Sequence, residues 1–286
     1  MKKVVLVTLA VFAVLFAYIT LSKKSVTAES AKEESAYTAM EKEQVLKFWD
    51  YFRQATNYRM DEQWELASEN YRKALEINPR HEDALYYLGN TYLEMLRFKE
   101  AEECWNKLAQ INPQKSRAFL QLATLYLSSE EVFDIEKAES ASRQALKNNK
   151  EETGPVLLLG EVKLIQGQLD AAAADFKAVT TSNFKSTDAY FLSGYIAWKK
   201  GDIAKARDLF LTAVKYAKPA DAVPQKVEGE GDTKHGKGFG SVTSKSVFNK
   251  FIAPLATVQP EQADQALQKA YIGVDALLAE LKRRVN

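Results

Sequence analysis

The side chains with the greatest chemical reactivity in this sequence are one cysteine and two histidines. Cys104 lies inside a stretch with helical periodicity, and no histidine lies near it. A reactive thiol needs a basic neighbour that lowers its pKa, so we expect Cys104 to be a small, partly buried apolar side chain. His81 and His235 fall in a predicted turn and a predicted flexible loop, without a second ligand at metal spacing. The sequence therefore predicts no metal site and no disulfide.

A glycine-rich stretch, Gly231–Gly238, comes close to the pattern of a phosphate-binding loop. Its last position would have to be Ser or Thr to reach magnesium, and a strand should precede it. The last position is Gly238, and the low-complexity residues before the stretch do not predict a strand. Acidic clusters such as Glu102 and Glu103 are typical of a solvated helix face, and no nucleophile elbow or dinucleotide turn occurs. We predict no catalytic residue, no cofactor and no small-molecule substrate.

The overall composition favours helices and argues against nucleic acid as a partner. The 286 residues include 46% apolar side chains but only 12 Gly and 7 Pro. Long stretches rich in Ala, Leu, Lys and Glu are typical of helical proteins. The 39 basic and 38 acidic residues give a formal charge of +1, and no long Lys/Arg block is present. A phosphate-binding surface needs a local basic excess, so we predict that the protein binds no nucleic acid.

The N-terminus carries an export or anchor signal. An apolar run at residues 4–21 follows Met1-Lys2-Lys3, and a helix of that length measures about 27 Å, enough to cross a bilayer core. We expect a retained transmembrane helix, because the run is longer than a usual signal-peptide core and Lys23-Lys24 follow it. The alternative is a signal peptide cleaved after Ala28, which would leave a periplasmic or secreted protein.

The charges that flank this run predict the orientation. The short basic tail is expected to stay in the cytoplasm of a bacterial-type cell, so the remaining residues would face the periplasm as a single-pass inner-membrane protein. Residues 29–47 are polar and charged. They predict a spacer that lifts the folded part off the membrane and becomes helical near its end.

Small residues recur through the middle of the chain at spacings of 34, 34, 37 and 34. They are Ala55, Gly89, Ala123, Gly160 and Gly194. The second half of each unit repeats a further triplet at spacings of three and four, which share one face of a helix. The triplets are Ala67, Tyr71 and Ala74; Ala101, Trp105 and Leu108; Ala138, Ser142 and Ala145; Ala172, Phe176 and Val179; and Ala206, Phe210 and Ala213. A period of this length is typical of helical solenoids.

This pattern resembles the tetratricopeptide repeat family, most closely at Leu85–Tyr92, Ala101 and Asn112-Pro113. The resemblance covers residues 48–219 and five units. It implies an all-α fold: a right-handed α-solenoid of about five helix-turn-helix units. In such a fold the small residue lets the second helix approach, and the units stack because no single pair can bury its apolar face.

Two units depart from the pattern. The third carries three extra residues in its inter-helix turn, Ser128–Asp134, and has Ser142 in place of the aromatic residue. The fourth has Lys163 at the tyrosine position and lacks the closing proline. We expect less regular packing near residues 128–165, within the same fold.

In this family the first helix of each unit lines a concave face that takes extended peptides or partner helices. The matching positions predict a peptide-binding groove. Its residues are Phe52, Tyr86, Asn90, Leu120, Thr124, Leu157, Glu161, Phe191, Tyr195 and Trp198. Leu120 and Leu157 suit the inter-helix core equally well, whereas aromatic and amide side chains suit recognition. A carboxylate clamp is not expected, because Tyr86 occupies its lysine position.

The chain changes character after the repeats. Residues 220–245 are rich in Gly, Pro and alternating charges and predict a flexible loop. Helical periodicity returns in residues 246–286, which predict a pair of C-terminal capping helices on the last unit. Alternatively, their apolar stripe docks on a partner or on a second copy.

The sequence thus predicts an N-terminal anchor or signal peptide (1–28), a spacer (29–47), a tetratricopeptide domain (48–219), a loop (220–245) and capping helices (246–286). The resemblance implies a membrane-tethered, non-catalytic scaffold or adaptor that binds a peptide or helix of another protein. Membrane-anchored members of the family help to assemble envelope machinery, and by analogy we expect a role in assembling an envelope complex. The competing hypothesis is a permanent structural subunit of a membrane complex, and an enzyme comes third.

Overall fold

The computed structural model describes residues 41–128, 131–217 and 246–285. Across these ranges the regular structure is helical, without a strand, so the predicted all-α helical repeat is confirmed. The chain forms two compact units that meet between Ala84 and Leu85, and each is described by itself.

The first unit contains helix α1 at residues 41–60, helix α2 at Trp64–Ile77 and the start of α3 at Glu82–Glu94. Glu62, with a φ of 58°, lies in the turn between α1 and α2, which the amide of Gln63 closes by donating to the carbonyl of Tyr58. The repeat positions Ala55 and Tyr71 are fully buried. Residues 41–47, which belong to the predicted spacer, are part of helix α1.

The second unit holds the remaining repeats. After α3 its helices are α4 Phe98–Ile111, α5 Ser116–Ser128, α6 Ile135–Asn148, α7 Thr153–Ile165, α8 Leu169–Ser182, α9 Thr187–Lys199 and α10 Ile203–Ala217. From α4 to α10 each helix contacts the next, and α5 also contacts α7. This order of contacts is the one expected of stacked helix pairs.

Two glycines show why the repeat needs small residues in the first helix of a unit. A Cβ atom at Gly89 would lie 2.4 Å from Nε1 of Trp105, and one at Gly160 would lie 2.5 Å from Cε1 of Phe176. Both aromatic side chains are fully buried and belong to the second helix of the same unit. The aromatic ring therefore occupies the volume that a larger first-helix side chain would need.

The two departures from the pattern are accommodated by polar contacts. Ser142 is fully buried, and its hydroxyl donates to the carbonyl of Ala138 at 2.7 Å. Lys163, at the tyrosine position, forms an ion pair of 2.5 Å with Asp175 on the next helix. The helix pairs α5–α6 and α7–α8 remain in contact. The substitutions therefore change the side-chain chemistry without separating the helices.

The C-terminal residues differ from the predicted pair of capping helices. They form a four-residue helix α11 at Asn249–Ile252, two 3-10 helices at Ala253–Thr257 and Pro260–Gln262, and one long helix α12 at Ala263–Val285. Pro254 lies at the start of the first 3-10 helix, and proline cannot continue an α-helix from the preceding residues. The C-terminal residues therefore contain one long helix, α12, instead of the predicted pair.

Helix α12 contacts α10 and also the first helices α7 and α9. It therefore covers more than the end of the last repeat.

Several predictions fall outside the described residues. They are the anchor at residues 4–21, the cleavage site at Ala28, most of the spacer, and the loop 220–245 with His235 and Gly231–Gly238. Within the described ranges, none of the helices has both the length and the apolar composition needed to cross a bilayer.

Candidate functional site

In the first unit, Phe52 is half-buried in an aromatic cluster. Its ring lies 5.7 Å from that of Tyr71 and 5.4 Å from the imidazole of His81, measured between centroids. Nδ1 of His81 accepts a hydrogen bond from the amide of Ala84 at 3.2 Å, and burial lowers the pKa of the imidazole. Phe52 and His81 thus contribute to the packing of this unit.

In the second unit, the first predicted groove residues lie on α3. Tyr86 and Asn90 are half-buried. The hydroxyl of Tyr86 accepts a hydrogen bond from Nε2 of Gln121 at 3.3 Å, and the guanidinium of Arg117 lies 4.7 Å from the centre of the tyrosine ring. The side-chain oxygen of Asn90 has no hydrogen-bond partner in the described part of the chain. This stretch combines an aromatic ring, a cation and amides, which suits the recognition of a polypeptide.

Gln121 is a groove residue that the family positions missed. The signal that would have found it is helical spacing, because Arg117, Gln121 and Thr124 follow one another at intervals of four and three on α5.

The middle of the groove opens into a cavity of about 580 Å³. Leu120 and Thr124 of α5 and Leu157 of α7 line it, together with Asp188 at the start of α9 and residues of α11. The hydroxyl of Thr124 donates to the carbonyl of Leu120 at 2.9 Å. The volume falls within the range of ligand-binding pockets, and the wall mixes apolar and polar groups.

The last predicted groove residues are covered by helix α12. The ring of Tyr271 lies 5.3 Å from that of Phe191, 5.9 Å from Tyr195 and 6.0 Å from Trp198. Tyr271 is fully buried, and its hydroxyl donates to the carbonyl of Phe191 at 3.3 Å. A Cβ atom at Gly194 would lie 2.2 Å from that hydroxyl. The small residue of the fifth unit thus makes room for a tyrosine of the C-terminal helix.

Polar contacts at the edge fix the direction of α12. Asp275 accepts hydrogen bonds from the hydroxyl of Tyr195 at 2.9 Å and from the ammonium of Lys199. The hydrogen bond from Lys199 is the main reason that the pKa of Asp275 is lowered. Nε of Arg207 donates to Asp264 at 2.7 Å. The charged side chains of the Lys199–Asp275 and Arg207–Asp264 pairs are each at least 43% exposed. They therefore help to orient the helix, while its buried aromatic contacts hold it.

The residues before α12 also lie against the first helices. We call residues 246–253 the C-terminal arm. The amide of Val247 donates to the carbonyl of Leu127 on α5 at 2.8 Å, Phe248 is fully buried, and α11 contacts α9. The arm therefore passes over the face formed by α5, α7 and α9.

Glu161 lies on this face and is fully buried. Neither of its carboxylate oxygens has a hydrogen-bond partner within the described residues. Burial raises its pKa well above the ordinary value, the charge of Asp188 raises it further, and the hydroxyl of Ser246 in the arm lowers it. Burial also raises the pKa of Asp188, to about 6. The structure thus places two carboxyl groups near each other in a site that favours their neutral forms.

We expect these two carboxyl groups to make closure of the arm depend on pH. When the arm detaches, both groups return toward ordinary pKa values of 4.5 and 3.8, so closure binds protons. Its stability should be full below a pH of about 4 and should fall as the pH rises through about 6 for Asp188 and through the raised pKa of Glu161. Hydrogen exchange of residues 246–253, corrected for intrinsic rates, measures this.

The Glu161→Gln variant is the control for this pH dependence. It keeps the shape of the side chain and removes its titration, so the loss of protection with rising pH should become smaller. Protection that stays constant with pH in the unaltered protein would contradict the expectation.

Two further observations concern the cysteine and the side chains that could bind a metal. Cys104 is buried, and burial raises the pKa of its thiol to about 12, which agrees with the small, partly buried apolar side chain expected from the sequence. No group of three His, Cys, Asp or Glu side chains that could hold a metal occurs within the described ranges.

Three repeat-family models match the sequence. A "TPR repeat" model matches residues 58–95, and two "Tetratricopeptide repeat" models match residues 82–115 and 157–222. They support the tetratricopeptide assignment over these residues. No curated protein matches the sequence significantly.

Solved structures with the same fold include pilF from Pseudomonas aeruginosa and two MamA proteins. The pilF chain is 16% identical with a TM-score of 0.54, and the match covers 85% of this chain and 97% of that one. A MamA structure is 20% identical with a TM-score of 0.52, covering 59% and 91% of the two chains. MamA from Desulfovibrio magneticus is 14% identical with a TM-score of 0.53, covering 59% and 94%. At these identities the likeness concerns the fold alone.

Proposed function

We propose that this chain is a non-catalytic scaffold or adaptor that binds a peptide or helix of another protein. Tetratricopeptide repeats generally mediate interactions between proteins, and the described chain offers a site for one. The observation that carries the proposal is the uncovered stretch from Tyr86 to the cavity beside Leu157. Tyr86 and Asn90 are half-buried, and Gln121, which donates to the hydroxyl of Tyr86, lines a cavity of about 580 Å³. Such a surface suits an extended peptide or one face of a helix.

Because helix α12 covers α9, the proposed binding site does not extend to the predicted groove residues on α9. Phe191 and Tyr195 are almost completely shielded from solvent, so a partner would first meet the groove at the half-buried residues Tyr86, Asn90 and Leu120. Tyrosine and arginine are enriched among residues that dominate binding energies. The ring of Tyr86, with Arg117 against it, is therefore the expected centre of the contact.

We further propose that the protein is tethered to a bacterial inner membrane by residues 4–21, with the repeats on the periplasmic side, and that it helps to assemble an envelope complex. The length of the apolar run and the lysines on both sides of it support the tether. Cleavage after Ala28, giving a periplasmic or secreted protein, is the alternative.

The competing proposal is a permanent structural subunit of a membrane complex, held there by the N-terminal helix and by the apolar stripe near the C-terminus. The stripe residues Leu267, Tyr271, Val274 and Leu281 are buried inside this chain. Their burial leaves a partner less apolar surface to dock on, which favours the adaptor over the permanent subunit.

A Tyr86→Ala substitution tests the adaptor. We expect the loss of the ring to weaken partner binding by about tenfold or more, since a central aromatic side chain typically contributes that much. Capture by the tagged, full-length protein in mild detergent, quantified by mass spectrometry, measures the effect. Glu94→Ala on the same helix is the control, because that side chain is exposed at the far end of α3. Equal capture by the two variants, with unchanged helical circular dichroism, would count against this site.

A further inference from the structure

Glu161 and Asp188 form an acidic site without a matching cation on the described face. Glu161 is fully buried, and neither of its oxygens makes a hydrogen bond of normal geometry with a described group, although the hydroxyl of Ser246 is close enough to lower its pKa. Asp188 lines the adjoining cavity. A buried polar group without a hydrogen bond is costly, and such groups commonly mark a position that a ligand completes.

Two described cations lie in this region, and each is near an aromatic ring. Lys185 lines the cavity, and its ammonium lies 5.6 Å from the ring centre of Phe184. The ammonium of Lys250 in the arm lies 5.3 Å from the ring centre of Phe251. The groups that shift the pKa of Glu161 are the carboxyl group of Asp188 and the neutral hydroxyl of Ser246 in the arm.

The arm also fills this face incompletely. The cavity of about 580 Å³ remains between α5, α7, α9 and α11, although the arm buries Phe248 and Ile252. Helix α12, by contrast, packs its tyrosine closely against Gly194 and three rings of α9. The incompletely packed part is thus the arm, and the closely packed part is α12.

We infer that the face between α5 and α9 binds a partner segment that carries a basic side chain, which pairs with Glu161 and Asp188 in place of the arm. Ser246 and Phe248 mark the positions that the segment has to match. The segment should therefore carry Lys or Arg two residues before a large apolar side chain. This inference rests on the proposed function, and it adds the chemical character of the partner.

The arm itself provides a test in the full-length chain. Ser246→Lys places an ammonium beside Glu161, and Ser246→Met places a neutral side chain of similar length there. We expect the Lys arm to be protected from hydrogen exchange about tenfold more than the Met arm at neutral pH, because hydrogen bonds between charged groups are strong in a desolvated site. In a Glu161→Gln background the difference between Lys and Met should largely disappear.

Equal protection of the Lys and Met arms would overturn the inference, as would a difference that persists at full size with Glu161→Gln. If the substituted chains fold poorly, synthetic peptides of residues 241–253 carrying Lys or Met at position 246 allow the same comparison. Added to the unaltered full-length protein, the Lys peptide should bind more tightly, as measured by fluorescence anisotropy. Equal affinities would overturn the inference.

The two proposals can fail separately. If partner capture depends on Tyr86 but the Lys and Met arms behave alike, only the inference of a basic partner segment is contradicted. If the Lys and Met arms differ clearly but partner capture does not depend on Tyr86, only the proposal that Tyr86 is the centre of the contact is contradicted.

Discussion

Replacing Tyr271 with alanine is expected to detach α12 from the last two repeats. The side chain is fully buried among Phe191, Tyr195 and Phe210. Truncating a buried aromatic residue costs about 3–5 kcal/mol, because contacts are lost and a cavity remains. Hydrogen exchange of residues 263–285 should become much faster, and the thermal transition of the full-length protein should begin at a lower temperature.

Two further substitutions bracket this effect. Tyr271→Phe removes only the hydroxyl that donates to Phe191, so we expect a loss of about 1 kcal/mol. Ile272→Ala changes the neighbouring residue, which is 58% exposed, and should alter stability by only about 0.5 kcal/mol. If Tyr271→Ala behaved like Ile272→Ala, the ring would not be what holds α12 in place.

A Gly160→Val substitution is expected to disrupt the fourth repeat. Even the Cβ atom would lie 2.5 Å from Cε1 of Phe176, whose side chain is fully buried. The aromatic ring would have to move or α7 and α8 would have to separate, and we expect a loss of about 3 kcal/mol or more from overpacking. Chemical denaturation followed by circular dichroism measures it.

Gly154→Val on the same helix is the matched control. A Cβ atom there would lie 3.2 Å from Cδ1 of Leu120, the flexible end of a side chain that can adjust. In a Phe176→Ala background the Gly160→Val substitution should cost much less, because the two sites share one volume. An undiminished cost in that double variant would show that the ring is not the obstacle.

The repeat positions could be predicted because they follow from steric rules that act within one helix pair. Gly89 and Trp105, or Gly160 and Phe176, lie 16 residues apart in the same unit, so a fixed period places them together whatever the rest of the chain does. The same reasoning explains the buried Ser142, since a serine hydroxyl on a helix can bond to the carbonyl four residues earlier.

The path of the C-terminal residues could not be predicted in the same way. The apolar stripe of α12 shows that one face is buried, but periodicity carries no information about what lies against it. Gly194 did not indicate this contact either. The repeat pattern already pairs it with Phe210, the aromatic residue in the second helix of the same unit. Only the structure shows that Tyr271 shares this space.

The groove prediction met the same difficulty. Of the predicted groove residues, the structure places Leu120, Thr124 and Leu157 around one cavity. They could not reveal which of these residues the chain covers itself. The sequence predicts that Glu161 is a polar residue of the groove. In the structure its carboxyl group is fully buried, and Ser246 of the arm lies beside it. Whether the groove binds a partner remains the prediction that the Tyr86 variant tests.

The contact between α12 and α10 has a consequence for assembly. In an open array of repeats, the last second helix offers a surface on which the first unit of another copy can stack head to tail, and repeated stacking of that kind produces fibres. Here Tyr271 packs on Phe210 and Asp264 pairs with Arg207, so this surface is already occupied from within. We therefore expect α12 to prevent another copy from stacking on α10. To lengthen the array by design, new repeats would have to be inserted before α9, so that α12 still packs on α9 and α10.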